Sequence, residues 1–258
     1  MHITLTGNLG SGKSTISKIF SDKGYEIYST GKIQRELAAE RGLSVLEMNK
    51  LMESDHSFDN IIDDTVTKIS KEHSEDLFFD SRLAWHFAVN SFKVFLSVDI
   101  DEAAKRVFND DKRGEVEKYK SVEEAKQNLI ARAEAEDQRY RDIYGIDYFN
   151  MSNYNLVLDS TYASPEVLAG ILAKEKASYE KKISSGRSPE DIPSRILISP
   201  ARLLGTEQKV NRDDDDIFDT DEVLITREGS SLTLVKGSDT VWKALNSGYE
   251  FITVCEAD

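Results

Sequence analysis

Short stretches in which apolar and polar residues alternate are separated by longer stretches with helical spacing. His2-Ile3-Thr4-Leu5-Thr6 alternates and is rich in β-branched residues, and Tyr25-Glu26-Ile27-Tyr28-Ser29 follows the same pattern. Leu77-Phe78-Phe79-Asp80, Phe92-Lys93-Val94-Phe95-Leu96-Ser97-Val98 and Asn155-Leu156-Val157-Leu158 complete five expected strands. Between them, Ser44…Glu47 and Ser121…Glu124 fit capping boxes, and Ser164-Pro165 fits an N-cap followed by proline in the first helical turn. Strand–helix alternation of this kind predicts an α/β fold, with a parallel sheet covered by helices on both faces.

Proline placement divides the chain. None precedes Pro165, whereas Pro189, Pro193 and Pro200 fall close together beside the polar, turn-forming run Ser184-Ser185-Gly186-Arg187-Ser188. The expected organisation is a large domain over 1–176, a charged helix or linker over 177–193, and a small α+β domain over 194–258. In the last of these, Ile196-Leu197-Ile198 is apolar, and Glu222–Thr226 and Leu232–Val235 read as a hairpin around Glu228-Gly229. A helix over Asp239–Asn246, ended by Gly248, and a strand at Phe251–Val254 follow. The aspartate run 213–216 reads as a solvated loop, with a divalent-ion site as the alternative.

Composition narrows the function classes. The chain has 258 residues, 39% of them hydrophobic and 31% charged, with a formal net charge of −14. That acidity argues against broad nucleic-acid binding, which needs clustered Lys and Arg. It leaves room for a small phosphorylated ligand held by a few arginines. The single cysteine, Cys255, excludes an internal disulfide and suggests a reducing compartment, so a cytoplasmic location is expected. No apolar run approaches the ~20 residues needed to cross a bilayer, and Met1 leads at once into a strand rather than a signal peptide. His2, His56, His73 and His86 show no metal-ligand spacing.

The chemistry concentrates first in Gly7-Asn8-Leu9-Gly10-Ser11-Gly12-Lys13-Ser14, which matches G-x-x-x-x-G-K-[ST]. An apolar strand precedes it, and Thr15-Ile16-Ser17-Lys18-Ile19-Phe20 follows with helical spacing. The glycines permit positive φ, so successive N–H groups can converge on phosphate oxygens at a helix N-terminus. Lys13 is expected to reach the β- and γ-phosphates of ATP, and the Ser14 hydroxyl to ligate Mg²⁺. Asp80, closing the third expected strand, either holds a water on that ion or is a turn or N-cap aspartate.

Arginines supply the complementary charge. Arg35 follows the end of the second strand by about a helical turn, and Arg82 follows Asp80 directly. Both fall at carboxyl ends of strands, where ligands of open α/β sheets bind. Arg132, Glu136 and Arg139 stand at i, i+4 and i+7 on one helix face. They read either as a nucleotide grip, the arginines on phosphates and the carboxylate on an exocyclic amine, or as an exposed salt-bridged face, which the spacing alone favours.

Taken in order, these pieces resemble the cytidylate kinase family of P-loop nucleoside monophosphate kinases. They are Gly7–Thr15, Ser29–Leu37, Asp59…Asp63, Asp80–Ala84, Arg132…Glu136…Arg139-Tyr140…Asp147, and Leu156–Thr161 with Ser164-Pro165-Glu166. The resemblance covers about residues 1–175. It implies a five-stranded parallel sheet of order 2-3-1-4-5 and ATP-dependent phosphorylation of CMP or dCMP. By that resemblance Arg35, Asp63, Arg82, Arg132, Glu136 and Arg139 would bind the acceptor, with Glu136 reading the cytosine amino group. Arg106 would be a lid arginine. A second lid arginine would fall on Asp110, with Lys112 and Arg113 as substitutes after a shift in register. Other expectations are a nucleotide as the small-molecule partner, a monomer, and a C-terminal region able to bind a partner. A kinase for another small acceptor, or a regulatory nucleotide-binding protein, are the competing readings. The order of elements after 194 resembles the ParB/sulfiredoxin-like fold. Its phosphate-binding box would fall at Gly237-Ser238-Asp239-Thr240, here without basic residues, and no catalysis is assigned there.

Overall fold

The computed structural model describes residues 1–43, 57–110, 119–208, 217–229 and 231–257; for 31, 32, 34–36 and 57–60 it describes the backbone only. The expected capping box at Ser44…Glu47, Lys112, Arg113 and the aspartate run lie outside the described residues. The chain divides into two compact units. One comprises Met1–Thr6 and Lys13–Val94, the other Gly7–Gly12 and Phe95–Asp258.

The first unit holds β1 (His2–Gly7, to Thr6), α1 (Lys13–Asp22), β2 (Glu26–Ser29), α2 (Thr30–Glu40), α3 (Ser57–Glu72), β3 (Leu77–Asp80) and the short α4 (Ala84–Phe87). It also holds the first half, 91–94, of β4 (Ser91–Ser97). β2 and β1 both run parallel to β3, with Tyr28 and Thr4 in register with Phe79. β3 is therefore flanked on both sides, and Leu77, Phe78 and Phe79 are all at most 1% exposed. A strand covered on both faces explains the unbroken apolar run, where half-buried strands alternate. Phe20 of α1 packs on Phe78 at 5.0 Å between ring centroids and edge-on to Tyr25 at 5.2 Å. On the other side Tyr28, Ile33, Leu37, Ile62, Val66 and Phe79 form one apolar cluster that seats α2 and α3.

The second unit continues with the rest of β4, then α5 (Ile100–Phe108), α6 (Val122–Tyr144), β5 (Leu156–Asp159) and α7 (Pro165–Ser184). Next come β6 (Arg195–Ile198), α8 (Pro200–Leu204), β7 (Ile217–Phe218), β8 (Leu224–Glu228), β9 (Ser231–Lys236), α9 (Ser238–Asn246) and β10 (Phe251–Glu256). Strand order is β2-β3-β1-β4 in the first unit and β4-β5-β6-β10-β8-β9 in the second, with β7 beside β10. Strand by strand, the first five follow the expected 2-3-1-4-5 order. β6 then runs parallel to β5, with Val157 opposite Ile196, and β10 runs antiparallel to β6. The hairpin β8–β9 is antiparallel, with an irregularity at Leu224/Ile225.

Helix ends follow the side chains that cap them. Ser164 Oγ accepts from Val167 N, with Pro165 in the first turn, as expected. Ser121 Oγ accepts from Glu124 N at 3.1 Å, but Glu124 bonds back to Lys120 N, one residue earlier than in a standard capping box. α9 closes with Gly248 at φ +78°, and Tyr249 N donates to Ala244 O, leaving the last carbonyls paired. The sequence reading identified neither α8, only five residues long, nor the two-residue β7. Among the described residues, no helix is long and apolar enough to cross a membrane.

The Phe20–Phe78 contact anchors α1 on β3. Phe20→Ala should lower unfolding free energy by about 3–5 kcal/mol, read as a fall in urea midpoint with unchanged slope.

Candidate active site

The glycine-rich turn has positive-φ backbone at Gly7, Gly10 and Gly12, and at the first two a side chain would also meet neighbouring backbone. Gly7 sits at φ +138° and Gly10 at φ +78°. A Cβ on Gly7 would lie 2.1 Å from Leu96 O, and one on Gly10 would meet the backbone of Ala103 at 3.0 Å. The end of β1 therefore presses against β4 at a distance no side chain permits, and the turn at Gly10 packs tightly against α5. Asn8 N donates to Leu96 O at 3.0 Å, and Val98 N donates to Asn8 Oδ1 at 3.2 Å. The Ser11 hydroxyl donates to Asn8 O at 2.8 Å. Leu9 joins the apolar cluster of Val98, Ala103, Val107 and Leu129, so one loop side chain is anchored in the core beneath α5 and α6.

Tyr148 completes the brace, and the sequence reading assigned it no role. Its hydroxyl accepts from Gly7 N at 3.1 Å and donates to Gly7 O at 3.3 Å. Tyr148 is 2% exposed. Tyr154 in turn donates its hydroxyl to Tyr148 O at 2.6 Å, and burial pushes the Tyr154 phenol well above its ordinary value. It stays a neutral donor across the physiological range.

Lys13 and Ser14 open α1 in the first unit, and Ser14 and Thr15 are exposed there. Asp80 ends β3 and is half-buried, as the strand pattern anticipated. The Ser17 hydroxyl lies 2.9 Å from both Lys13 O and Asp80 Oδ2, and its single proton serves one of them at a time. Ser17, which carried no sequence signal, thus ties the carboxylate to the first turn of α1. Asp80 caps no helix: the residue at the N-cap of α4 is Leu83. Thr30 at the start of α2 donates to Ser81 Oγ at 2.9 Å, and Thr6 Oγ1 donates to Arg82 O at 3.1 Å, fixing the turn after β3. Arg82 and Asp63 are half-buried. Asp63 lies on α3 and Arg35 on α2, where only the backbone of Arg35 is described.

In the second unit Arg132, Glu136 and Arg139 all lie on α6. Arg132 Nε donates to Glu136 Oε1 at 3.1 Å, while Arg132 is half exposed and Arg139 is exposed. Of the three, Arg132 and Glu136 form an i, i+4 ion pair. Arg106, on α5, donates Nε to Glu102 and Nη2 to the carbonyls of Ser160 and Thr161, at 2.8 and 2.9 Å. Asp110 follows the end of α5 and is exposed.

Among the described residues no group of three or more His, Cys, Asp or Glu side chains could cage a metal ion. Ser14 and Asp80 offer one hydroxyl and one carboxylate. That donor set fits Mg²⁺, which keeps water and substrate phosphate ligands rather than an all-protein cage.

A mostly parallel α/β sheet with this loop between its first strand and first helix defines a P-loop phosphotransferase, and comparison with known proteins agrees. The Cytidylate kinase-like family pattern matches residues 2–162, and the chain belongs to that family. It is 34% identical over 192 residues to the cytidylate kinase of Haloarcula marismortui, covering 73% of this chain and 96% of that one. It is 34% identical over 161 residues to that of Methanothermobacter thermautotrophicus, covering 62% and 95%. In fold it is similar to an uncharacterized protein from Eubacterium ventriosum, with TM-score 0.52, 14% identity, and coverage of 69% of this chain and 99% of that one.

Tyr148→Phe removes both hydrogen bonds to Gly7 while keeping the ring. Stability should fall by about 1–3 kcal/mol in thermal unfolding, and affinity for a fluorescent ATP analogue should weaken with it.

Proposed function

We propose that the protein transfers the γ-phosphoryl group of ATP, as its Mg²⁺ complex, to a nucleoside monophosphate, CMP or dCMP. The observation that carries this reading is the strained glycine loop leading into Lys13 and Ser14, in a chain of the cytidylate kinase-like family. The relatives' names support the acceptor class, and the α6 trio Arg132, Glu136 and Arg139 supports a base with an exocyclic amine.

In this reaction an oxygen of the acceptor's phosphate attacks the γ-phosphorus. The bond from that phosphorus to the β,γ-bridging oxygen breaks, and ADP leaves with the electron pair. No strong base is needed, because the attacking oxygen is already ionised at neutral pH. The work is positioning and charge neutralisation. Lys13 and the loop N–H groups hold the donor phosphates. Ser14 and Asp80 would hold Mg²⁺, which when bound offsets charge on the β- and γ-oxygens. Arg35, Asp63 and Arg82 are assigned to the acceptor, and Arg132 and Arg139 to its phosphate or the transferring group. Glu136 is assigned to the amino edge of the base. Arg106 is assigned to the lid over the transferring group.

The same reading predicts a soluble cytoplasmic enzyme that acts as a monomer on small-molecule substrates, without nucleic acid or membrane. A small domain over 194–258 able to bind a partner, after a charged helix or linker over 177–193, is the alternative to the role argued below.

An ADP-release assay against CMP, dCMP, UMP, AMP, GMP and no acceptor tests the assignment. Stimulation by CMP or dCMP alone is the expected result; equal response to all acceptors, or none, contradicts it. Lys13→Ala should reduce transfer by about 10²–10³-fold or more with an unchanged circular dichroism spectrum. Near-normal turnover in that variant would remove the phosphate loop from the mechanism.

A further inference from the structure

The family match ends at residue 162, yet one partner of a deeply buried ion pair at the strand ends comes from beyond it. Arg202, on the short helix α8, reaches Asp159 at the carboxyl end of β5, with Nη1 2.8 Å from Oδ1. The two side chains are 7% and 0% exposed. The same guanidinium donates to Ser97 Oγ at 2.8 Å and to Val98 O at 3.3 Å, at the end of β4. One planar fork thus ties together the carboxyl ends of two neighbouring strands.

From Asp159 the contacts run outward in one direction. Its Oδ1 accepts from Thr161 N at 3.2 Å and from Thr161 Oγ1 at 2.6 Å. Thr161 Oγ1 accepts from Asp99 N, and Asp99 caps the N-terminus of α5. The carbonyls of Ser160 and Thr161 then receive the Arg106 guanidinium. From Val98 the contacts run to Asn8 in the glycine loop, through Val98 N to Asn8 Oδ1. Asp159 Oδ2 accepts from Ser199 N, so the strand end is also fastened to the residue before α8.

We propose that Arg202 is a positioning residue for phosphoryl transfer, and that residues beyond 194 act as part of the kinase core through it. By neutralising Asp159 and bridging to Val98, Arg202 fixes both the Ser160–Thr161 turn that seats Arg106 and the β4 end that holds Asn8. This inference rests on the transfer reaction assigned above.

The test uses the full-length chain with Arg202→Lys and Arg202→Met. Three quantities are read: thermal midpoint, affinity for a fluorescent ATP analogue, and kcat per nucleotide-binding molecule. Lysine keeps a charge against Asp159 but loses the planar fork. Its midpoint should stay close to that of the parent, while kcat per binding molecule falls by about 10²-fold, the scale of a small misplacement. Methionine should lower the midpoint as well. A lysine variant with parental midpoint and parental kcat would overturn the proposal, because charge balance alone would then suffice. A methionine variant that only lowers the fraction of binding molecules, with kcat per binding molecule intact, would overturn it too. If the methionine variant does not fold, the lysine variant decides. A parent chain that binds the ATP analogue but phosphorylates no monophosphate would refute the assigned reaction, not this inference. Weakened analogue affinity in Arg202→Lys would then support Arg202 as a positioning residue, and parental affinity would reject it.

Discussion

Gly7 is where the geometry of the phosphate loop is set. Its missing Cβ lets the end of β1 lie against Leu96 at a distance that any side chain would forbid. Its positive φ turns the chain from strand toward helix, and Tyr148 satisfies both its N–H and its carbonyl. Buried backbone groups need hydrogen-bond partners, and at this turn a side-chain hydroxyl supplies one to each. The next two loop residues inherit their direction from this point: Asn8 is tied to β4, and Leu9 is anchored in the core.

The same economy governs the ends of β4 and β5. Each carries polar groups that the parallel sheet cannot pair, and Ser97, Asp159, Ser160 and Thr161 bond among themselves and to Arg202. A carboxylate with no exposed surface is costly unless a cation and hydrogen bonds surround it. Asp159 has a guanidinium, a hydroxyl and two backbone N–H groups. The Arg106 side chain rests on the outcome of that arrangement rather than on contacts of its own helix alone.

A second ionic network joins the C-terminal hairpin to the end of α6. Arg227 on β8 donates to Asp147 at 3.0 Å and to Glu256 at 3.0 Å, and Arg141 pairs with Asp137 and Asp147. Asp137 accepts from Tyr148 N at 3.1 Å. These charges are partly exposed, so each pair contributes little stability by itself. Their effect is to hold the segment that presents the Tyr148 hydroxyl to Gly7.

The sequence by itself determined the features that arise from local chemistry. Alternation or short apolar runs located β1 to β5, because those patterns reflect one or two buried faces. Serine at 121 and 164 marked helix starts, because a hydroxyl in that place satisfies a free N–H. The spacing of glycines, lysine and serine gave away the phosphate loop, since few other arrangements need glycine there, and helical spacing placed Arg132, Glu136 and Arg139 on one helix. Only the tertiary structure decided which distant groups brace the glycine loop and the strand ends. Tyr148 stands 141 residues from Gly7, Ser17 stands 63 from Asp80, and Arg202 stands 43 from Asp159. A tyrosine, a serine and an arginine in helices or loops carry no periodic mark of their partners. Their roles come from chain crossings that bring buried polar groups together, and no local pattern encodes those crossings.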